Sequence, residues 1–378
     1  MQVYFDNAAT TAIDPEVVRV MVETMENDYG NPSSIHAKGR QVKTIVEKAR
    51  KTVAGLINAS PAEIFFTSGG TEADNFAIVR SIKDHDLTHA ISSPLEHHAV
   101  LHTLEALEKE GRIKLSLLDV DAQGHIDIDQ LAQLLANSPR SLVSLMQANN
   151  EIGTMTDIQR VGELCKEHHA LFHSDTVQSM GHFTHDMQQL PANFINGAAH
   201  KFHGPKGVGF LFIRQDTKIN PMIYGGAQER NMRGGTENVY GIVGLARALE
   251  LSYAHMEEHR NYIQGLKDYM IARLRAEIAD IRFNGDLDPA NSLYTVLNVS
   301  FPCTDMADMM LFSLDIEGIC ASGGSACSSG SDIGSHVLSA IKSDPDRPCV
   351  RFSFSRFNTR EEIDYVVEKV KNLCLQHA

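Results

Sequence analysis

The chain has 378 residues, 34 Lys and Arg against 48 Asp and Glu, a formal net charge of −14 and 43% hydrophobic residues. That length and apolar content suit about two domains with a sizeable core and exclude a disordered or fibrous chain. The acidic balance argues against a general nucleic-acid binder, whose affinity rests on Lys and Arg neutralising phosphates, but backbone amides can still hold a small anion.

Six Cys, at positions 165, 303, 320, 327, 349 and 374, are too sparse for a disulfide framework and form no C-x-x-C pair, so a reducing compartment is expected. The N-terminal MQVYFDNAATTAIDPE has no basic stretch followed by an apolar one, and no apolar run approaches the roughly 20 residues of a membrane span. The expectation is a soluble, cytoplasmic protein without direct membrane or nucleic-acid partners.

Pro15 to about Asn27 reads as a helix, with Val17, Val18, Met21, Val22 and Met25 at helical spacing and Asp14 as N-cap. A second helix is expected over 41–57. Residues 63–67 read as a strand, followed by a Gly pair and a helix from Glu72 to about Ile82. Strands at 90–92, 114–118, 142–146 and 171–173 then alternate with helices at 99–110, 128–135 and 158–167. Such alternation predicts a mostly parallel sheet covered on both faces. Runs at 194–198 and 207–213 flank HKFHGPK, whose Gly204-Pro205-Lys206-Gly207 turn makes them neighbouring strands. Beyond Gly241, the reading is one long helix over 242–276, strands at 295–301 and 350–354, and a closing helix at 361–375. The fold class is thus α/β: a large mostly parallel sheet unit, residues 13–257, with a smaller α+β unit built from residues 1–12 and 258–378.

Ligands of open parallel sheets bind outside the carboxyl ends of the strands. The first such end, Thr67-Ser68-Gly69-Gly70-Thr71-Glu72, is either an ordinary strand-to-helix turn or an anion cradle of free amides and hydroxyls. It matches neither nucleotide-binding Gly-rich pattern, which leaves a single phosphate as the anion. The second places Asp175 just past an apolar strand, as a helix cap or as a carboxylate holding a protonated ring nitrogen. The third places Lys201 after another apolar strand, either solvated or held as the free amine that a Schiff base needs. Together, a phosphate cradle, an Asp and a Lys describe a pyridoxal 5'-phosphate site.

DNAATT (6–11), TSGGTEADN (67–75), EHHAVL (96–101), NNEIGT (149–154), HSDTVQS (173–179), AHKFHGPKGVG (199–209), RGGTENV (233–239) and SGGSACSSG (322–330) occur in that order along nearly the whole chain. This series resembles the cysteine desulfurases of the NifS and IscS group, within the class V, fold-type I pyridoxal phosphate enzymes. The resemblance implies conversion of L-cysteine to L-alanine, with Lys201 as the Schiff-base lysine and proton carrier, Asp175 on the pyridine nitrogen, and His97 stacked on the ring and shuttling a proton. Asn150 and Gln178 would bond the phenolic oxygen. Gly70, Thr71 and His200 would hold the phosphate, with Thr236 reaching in from the other subunit of a homodimer. Arg351 would clamp the substrate carboxylate, Arg356 being the weaker candidate, and Cys327 would accept sulfur as a persulfide. Gly323, Gly324, Gly330 and four Ser around Cys327 predict a mobile segment; the other five Cys read as structural.

The persulfide sulfur would pass to an acceptor such as an iron–sulfur scaffold or tRNA-thiolation enzyme. Two departures from the family pattern stand out. Ala198 occupies a position where relatives often carry a phosphate-binding hydroxyl. The sequence also ends at Ala378, without the extension that longer IscS-type enzymes use to dock the scaffold protein. A selenocysteine lyase, a class V aminotransferase and a non-catalytic sulfur carrier are the competing readings. His98 and His102 have i, i+4 spacing but no H-E-x-x-H and no completing ligand, so no metal site is expected.

Overall fold

The computed structural model describes residues 1–306, 309–323 and 334–376. In chain order the elements are β1 (Val3–Tyr4), α1 (Pro15–Asn27), α2 (Ala37–Leu56), β2 (Ile64–Thr67), α3 (Gly70–Asp84), β3 (His89–Ser92), α4 (His98–Lys109), β4 (Lys114–Leu117), α5 (Ile128–Asn137), β5 (Leu142–Ser144), α6 (Ile158–Glu167), β6 (Leu171–Ser174), β7 (Phe194–Ala198) and β8 (Gly209–Ile213). There follow α7 (Val239–Ala254), α8 (Met256–Glu277), β9 (Arg282–Asn284), β10 (Val296–Ser300), α9 (Met310–Ile316), β11 (Ile319–Cys320), α10 (His336–Ala340), β12 (Cys349–Ser353) and α11 (Arg360–Gln376).

The large sheet has the order β2-β8-β7-β6-β5-β3-β4. Its central strands pair in parallel, and β8 runs against both β7 and β2. Every residue of β2, β3, β5, β6, β7 and β8 is buried, as expected of a sheet covered on both faces, whereas edge strand β4 is partly open. The turn between β7 and β8 sets Ala198 opposite Gly209, so the two runs are tightly joined neighbours, as expected. The carboxyl ends of the parallel strands, all on one sheet edge, deliver Ser68 to Thr71, Leu95 to His97, Met146 to Asn150 and Asp175 to Gln178. Residues 199–201 emerge there too, as a single 3-10 turn after β7.

Local chemistry explains the helix starts. The Asp14 carboxylate accepts from the Glu16 amide at 2.7 Å with Pro15 in the first position, the expected cap. The second helix starts at Ala37 rather than the expected 41, because His36 Nδ1 accepts from the Gly39 amide at 3.3 Å. The expected continuous helix over 242–276 is two helices, broken at His255, which no Pro or Gly announces.

A second core gathers Val3 and Phe5 with α8, β10, β12 and α11, including Leu266, Val299, Phe352 and Val367. Here β12-β10-β9 form an antiparallel sheet and β1 pairs in parallel with β11. No helix among the described residues is long and apolar enough to cross a membrane.

Candidate active site

A cavity of about 210 Å³ opens at the carboxyl edge of the large sheet. Gly70, Thr71, His97, Asn150, Asp175, Gln178, His200, Lys201 and Arg351 line it, together with Ala8, Ala9, Asp74 and Ala198. These side chains come from positions as far apart as 8 and 351, and the strand ends bring them together.

Lys201 is on the 3-10 turn after β7, and its Nζ donates to the Ala8 carbonyl at 2.5 Å and the Ala9 carbonyl at 3.0 Å. Gln178 Nε2 donates to the same Ala8 carbonyl at 3.0 Å. Asp175 is 7% exposed, with one carboxylate oxygen accepting from the Val177 amide at 2.9 Å. Next to it in the cavity wall is Asp74, fully buried, whose carboxylate accepts from Asn196 Nδ2 at 2.5 Å and has His173 Nε2 at 3.3 Å. Burial, the charge of Asp175 and that of Glu96 push the Asp74 carboxyl well above the usual range. His173 is pushed down to about 3 by burial and is neutral.

His97 caps α4: its Nδ1 accepts from the Ala99 amide at 3.1 Å. Nδ1 is therefore the unprotonated nitrogen of the neutral ring, and Nε2 carries the hydrogen. Burial lowers its pKa against the pull of Asp175, and Lys201, His336 and His102 lower it further. His200 Nδ1 is 3.2 Å from the Thr10 hydroxyl, and burial, aided by Lys201 and Lys206, takes its pKa down to about 4.

Gly70 opens α3, whose free amides form the anion-binding end of a 15-residue helix. A Cβ at Gly70 would sit 2.7 Å from Val177 Cγ2, so the helix start presses directly on the segment that carries Asp175. Ala198 lines the cavity without a hydroxyl, and Thr71 supplies one nearby.

Arg351, in β12, is 1% exposed; it donates to Asp6 Oδ1 at 2.7 Å and to the Asn150 carbonyl at 3.0 Å. Its buried Nε has no hydrogen-bond acceptor among the described residues. Arg356 instead pairs with the Asp14 carboxylate at the start of α1 and does not line the cavity.

Thr236 is outside this cavity. It lines a separate one of about 170 Å³ with Ser68, Arg233 and Asn238. Cys327, with Gly324 and Gly330, lies outside the described residues. Rings of His98 and His102 stack at 4.5 Å, and His336 joins them at 4.7 Å from His98.

The sequence did not single out Asp74, Glu96 or Asp6. Asp74 and Glu96 sit inside the quoted motifs, but nothing in one-dimensional spacing shows that a carboxylate is fully buried. Asp6 opens DNAATT, and its partner Arg351 is 345 positions away.

A doubly covered, mostly parallel sheet with a lysine, a buried aspartate and a helix start converging at its carboxyl edge defines a fold-type I α/β enzyme. The profile of the aminotransferase class-V family matches residues 3–366. The cysteine desulfurase IscS of Dictyoglomus turgidum is 42% identical over 376 residues, covering 98% of this chain and 94% of that one. A solved NifS-like protein superposes with a TM-score of 0.90 at 35% identity over the full length of both chains. A structure described as SspA in complex with cysteine superposes with a TM-score of 0.80 at 29% identity, covering 95% of this chain and 100% of that one. The chain belongs to the class V aminotransferase family and, within it, to the cysteine desulfurases of the IscS and NifS kind, enzymes that depend on pyridoxal 5'-phosphate.

Proposed function

We propose that the chain binds pyridoxal 5'-phosphate in the 210 Å³ cavity and moves sulfur from L-cysteine to Cys327, leaving L-alanine. The observation that carries this reading is the convergence of Lys201, Asp175, His97, Arg351 and the α3 start on one cavity. The donor set fits the cofactor: helix amides, Thr71 and His200 suit a phosphate, Asp175 a protonated ring nitrogen, Asn150 and Gln178 a phenolic oxygen, and Lys201 a carbonyl carbon.

When bound, the cofactor supplies a carbonyl that condenses with amines and a protonated ring that draws electrons from the substrate Cα. Arg351 orients the substrate through its carboxylate, a task suited to a planar guanidinium. Lys201 would hold the cofactor through its amine and, as a free amine during turnover, would take the Cα proton. His97 Nε2 holds or delivers a proton beside it, since its ring is neutral at physiological pH. The Cys327 thiolate takes the sulfur: the substrate C–S bond breaks, an S–S bond forms, and a proton replaces sulfur on the substrate carbon. Carbon is reduced by two electrons and sulfur oxidised by two, so no external oxidant enters.

On the same reading the molecule is a homodimer in a reducing compartment, with Thr236 serving the partner's cofactor, and an acceptor protein collects the persulfide sulfur. The large and small units divide near residues 12 and 257. Cys327→Ser should keep the cofactor absorbance and its response to L-cysteine but carry no added sulfur by mass spectrometry. Undiminished alanine formation with sulfide release by this variant would sink the assignment of Cys327.

A further inference from the structure

The small unit contains a pair of cysteines with no place in the reaction. Cys303, in the turn after β10, and Cys374, in the last turns of α11, place their sulfurs 2.7 Å apart although they are 71 positions apart in sequence. Both are buried, at 2% and 6% exposure, among the residues of the second core. Among the described cysteines no other pair has its sulfurs in contact: Cys165 is isolated in the large core, and Cys349 is engaged by Asn284 Nδ2 at 3.3 Å.

Two sulfurs this close are within reach of covalent closure without moving either element far. A hydrogen bond joins the two sulfurs, either of which can donate, so the thiol of one steadies the thiolate of the other. The Arg347 guanidinium acts on both in the thiolate direction, and reactivity follows thiolate character. Access is the remaining requirement: helix ends open more cheaply than helix centres, and Cys374 is in the last turns of its helix.

We propose that Cys303 and Cys374 form a dithiol modification site that closes to a disulfide on oxidation by a peroxide. The thiolate of one cysteine attacks a peroxide oxygen, the O–O bond breaks, and one oxygen leaves as hydroxide. The resulting sulfenic acid is attacked by the sulfur of the other, the S–O bond breaks, and the second oxygen leaves as water after proton uptake. Two thiols lose two electrons and two protons, and hydrogen peroxide becomes two water molecules. The closed loop spans positions 303–374 and so contains both Cys327 and Arg351. Oxidation therefore pins α11 onto the exit of β10. This reading concerns residues outside the active cavity and does not depend on the proposed reaction.

The test uses the cofactor-loaded full chain, without substrate, treated with hydrogen peroxide, alkylated during unfolding and digested without reductant. A Cys303–Cys374 linked peptide, two hydrogens lighter than its parts and abolished by reductant, is expected as the main cross-link. Recovery of both cysteines fully alkylated, or cross-links of either to other cysteines in comparable yield, overturns the proposal. Oxidation should also raise Tm by about 5 °C, because closing a long loop restricts the unfolded chain. The rise should vanish in Cys303→Ala and in Cys374→Ala, and its persistence in either variant also overturns the proposal. The peptide map uses the unmutated chain, so it decides the matter even where a variant fails to fold.

Discussion

Arg351 is buried to 1%, with one terminal nitrogen on Asp6, the other on the Asn150 carbonyl and Nε without a partner among the described residues. A buried cation with an unused donor is costly in isolation, and on the proposed reading the substrate carboxylate would offset that cost. Arg351→Lys keeps the charge but loses the planar fork. It should raise the KM for L-cysteine about 100-fold, the loss of one good bidentate contact, with the cofactor absorbance unchanged. An unchanged KM would remove Arg351 from substrate binding.

Asp74 carries the opposite lesson, a carboxyl whose pKa is pushed up by burial and by Asp175 and Glu96. Its folded pKa is raised above its unfolded value. Below the unfolded value both states hold the proton and nothing is lost; above it the unfolded chain releases the proton while the folded one retains it, so stability falls as pH rises. Asp74→Asn mimics the neutral acid and should raise the denaturation midpoint of the cofactor-free protein at pH 7 while changing it little at pH 4. An equal shift at both pH values would show that Asp74 is not the group responsible.

Between elements, the contact that matters most for the site is the start of α3 against the segment after β6. The absent side chain of Gly70 leaves room for Val177, whose branched side chain has little rotamer freedom to retreat. Gly70→Ala should therefore cost about 1–3 kcal/mol of overpacking and weaken cofactor retention. The double variant Gly70→Ala with Val177→Ala should recover most of that loss. Denaturation midpoints and cofactor titration across the four-variant cycle measure the coupling, and simple additivity would show that the two residues do not press on each other.

The same elements show what one dimension carries and what it omits. β2 and β8 are legible because strands buried on both faces are nearly continuous apolar runs, and α1 because Asp14-Pro15 announces it. By contrast β1, β9 and β11 are two or three residues long, and only their partner strands give them a strand identity. His36 as a cap carries no acidic signal, and the break at His255 is marked by no Gly or Pro, only by Glu257 and Glu258 in the first turn of α8. Lys201 and Asp175 are legible as a set because each follows a strand at the same sheet edge, whereas His97 is legible only through the resemblance carried by EHHAVL. Asp74 and Glu96 are not, because burial depends on neighbours remote in sequence.

At the scale of the whole molecule, the stretch Asp6 to Thr11 links the two cores. Asn7 Nδ2 donates to the Ser353 carbonyl at 2.8 Å in the small unit, and Thr11 Oγ1 donates to the His200 carbonyl at 3.0 Å beside the cofactor cavity. Between them, the Ala8 and Ala9 carbonyls accept from Lys201. The motif thus couples the placement of β12, with Arg351, to that of the lysine. A second large-scale feature points outward. Val18, Val22 and Met25 form an exposed apolar stripe on α1, and Tyr29, Ile35 and Tyr224 are also exposed. Apolar surface of this kind favours a partner, and the proposed homodimer would supply one.

The position of Thr236 makes that dimer testable at the level of the site. Thr236 is exposed and lines a cavity that shares no residue with the one holding Lys201. If it serves the partner's phosphate, each cofactor site mixes two chains: Lys201 from one and Thr236 from the other. Co-expression of a Lys201→Ala chain with a Thr236→Ala chain, separated by different affinity tags, then yields a heterodimer with one doubly damaged site and one intact site. That heterodimer should show about half the wild-type desulfurase rate and bind one cofactor with wild-type affinity, whereas each homodimer is impaired. If Thr236 serves its own chain, no intact site forms, and the heterodimer falls to the rate of the Thr236→Ala site alone. The readout separates the two geometries even when Thr236→Ala lowers activity only several-fold, because cofactor affinity and rate must recover together in the mixed species.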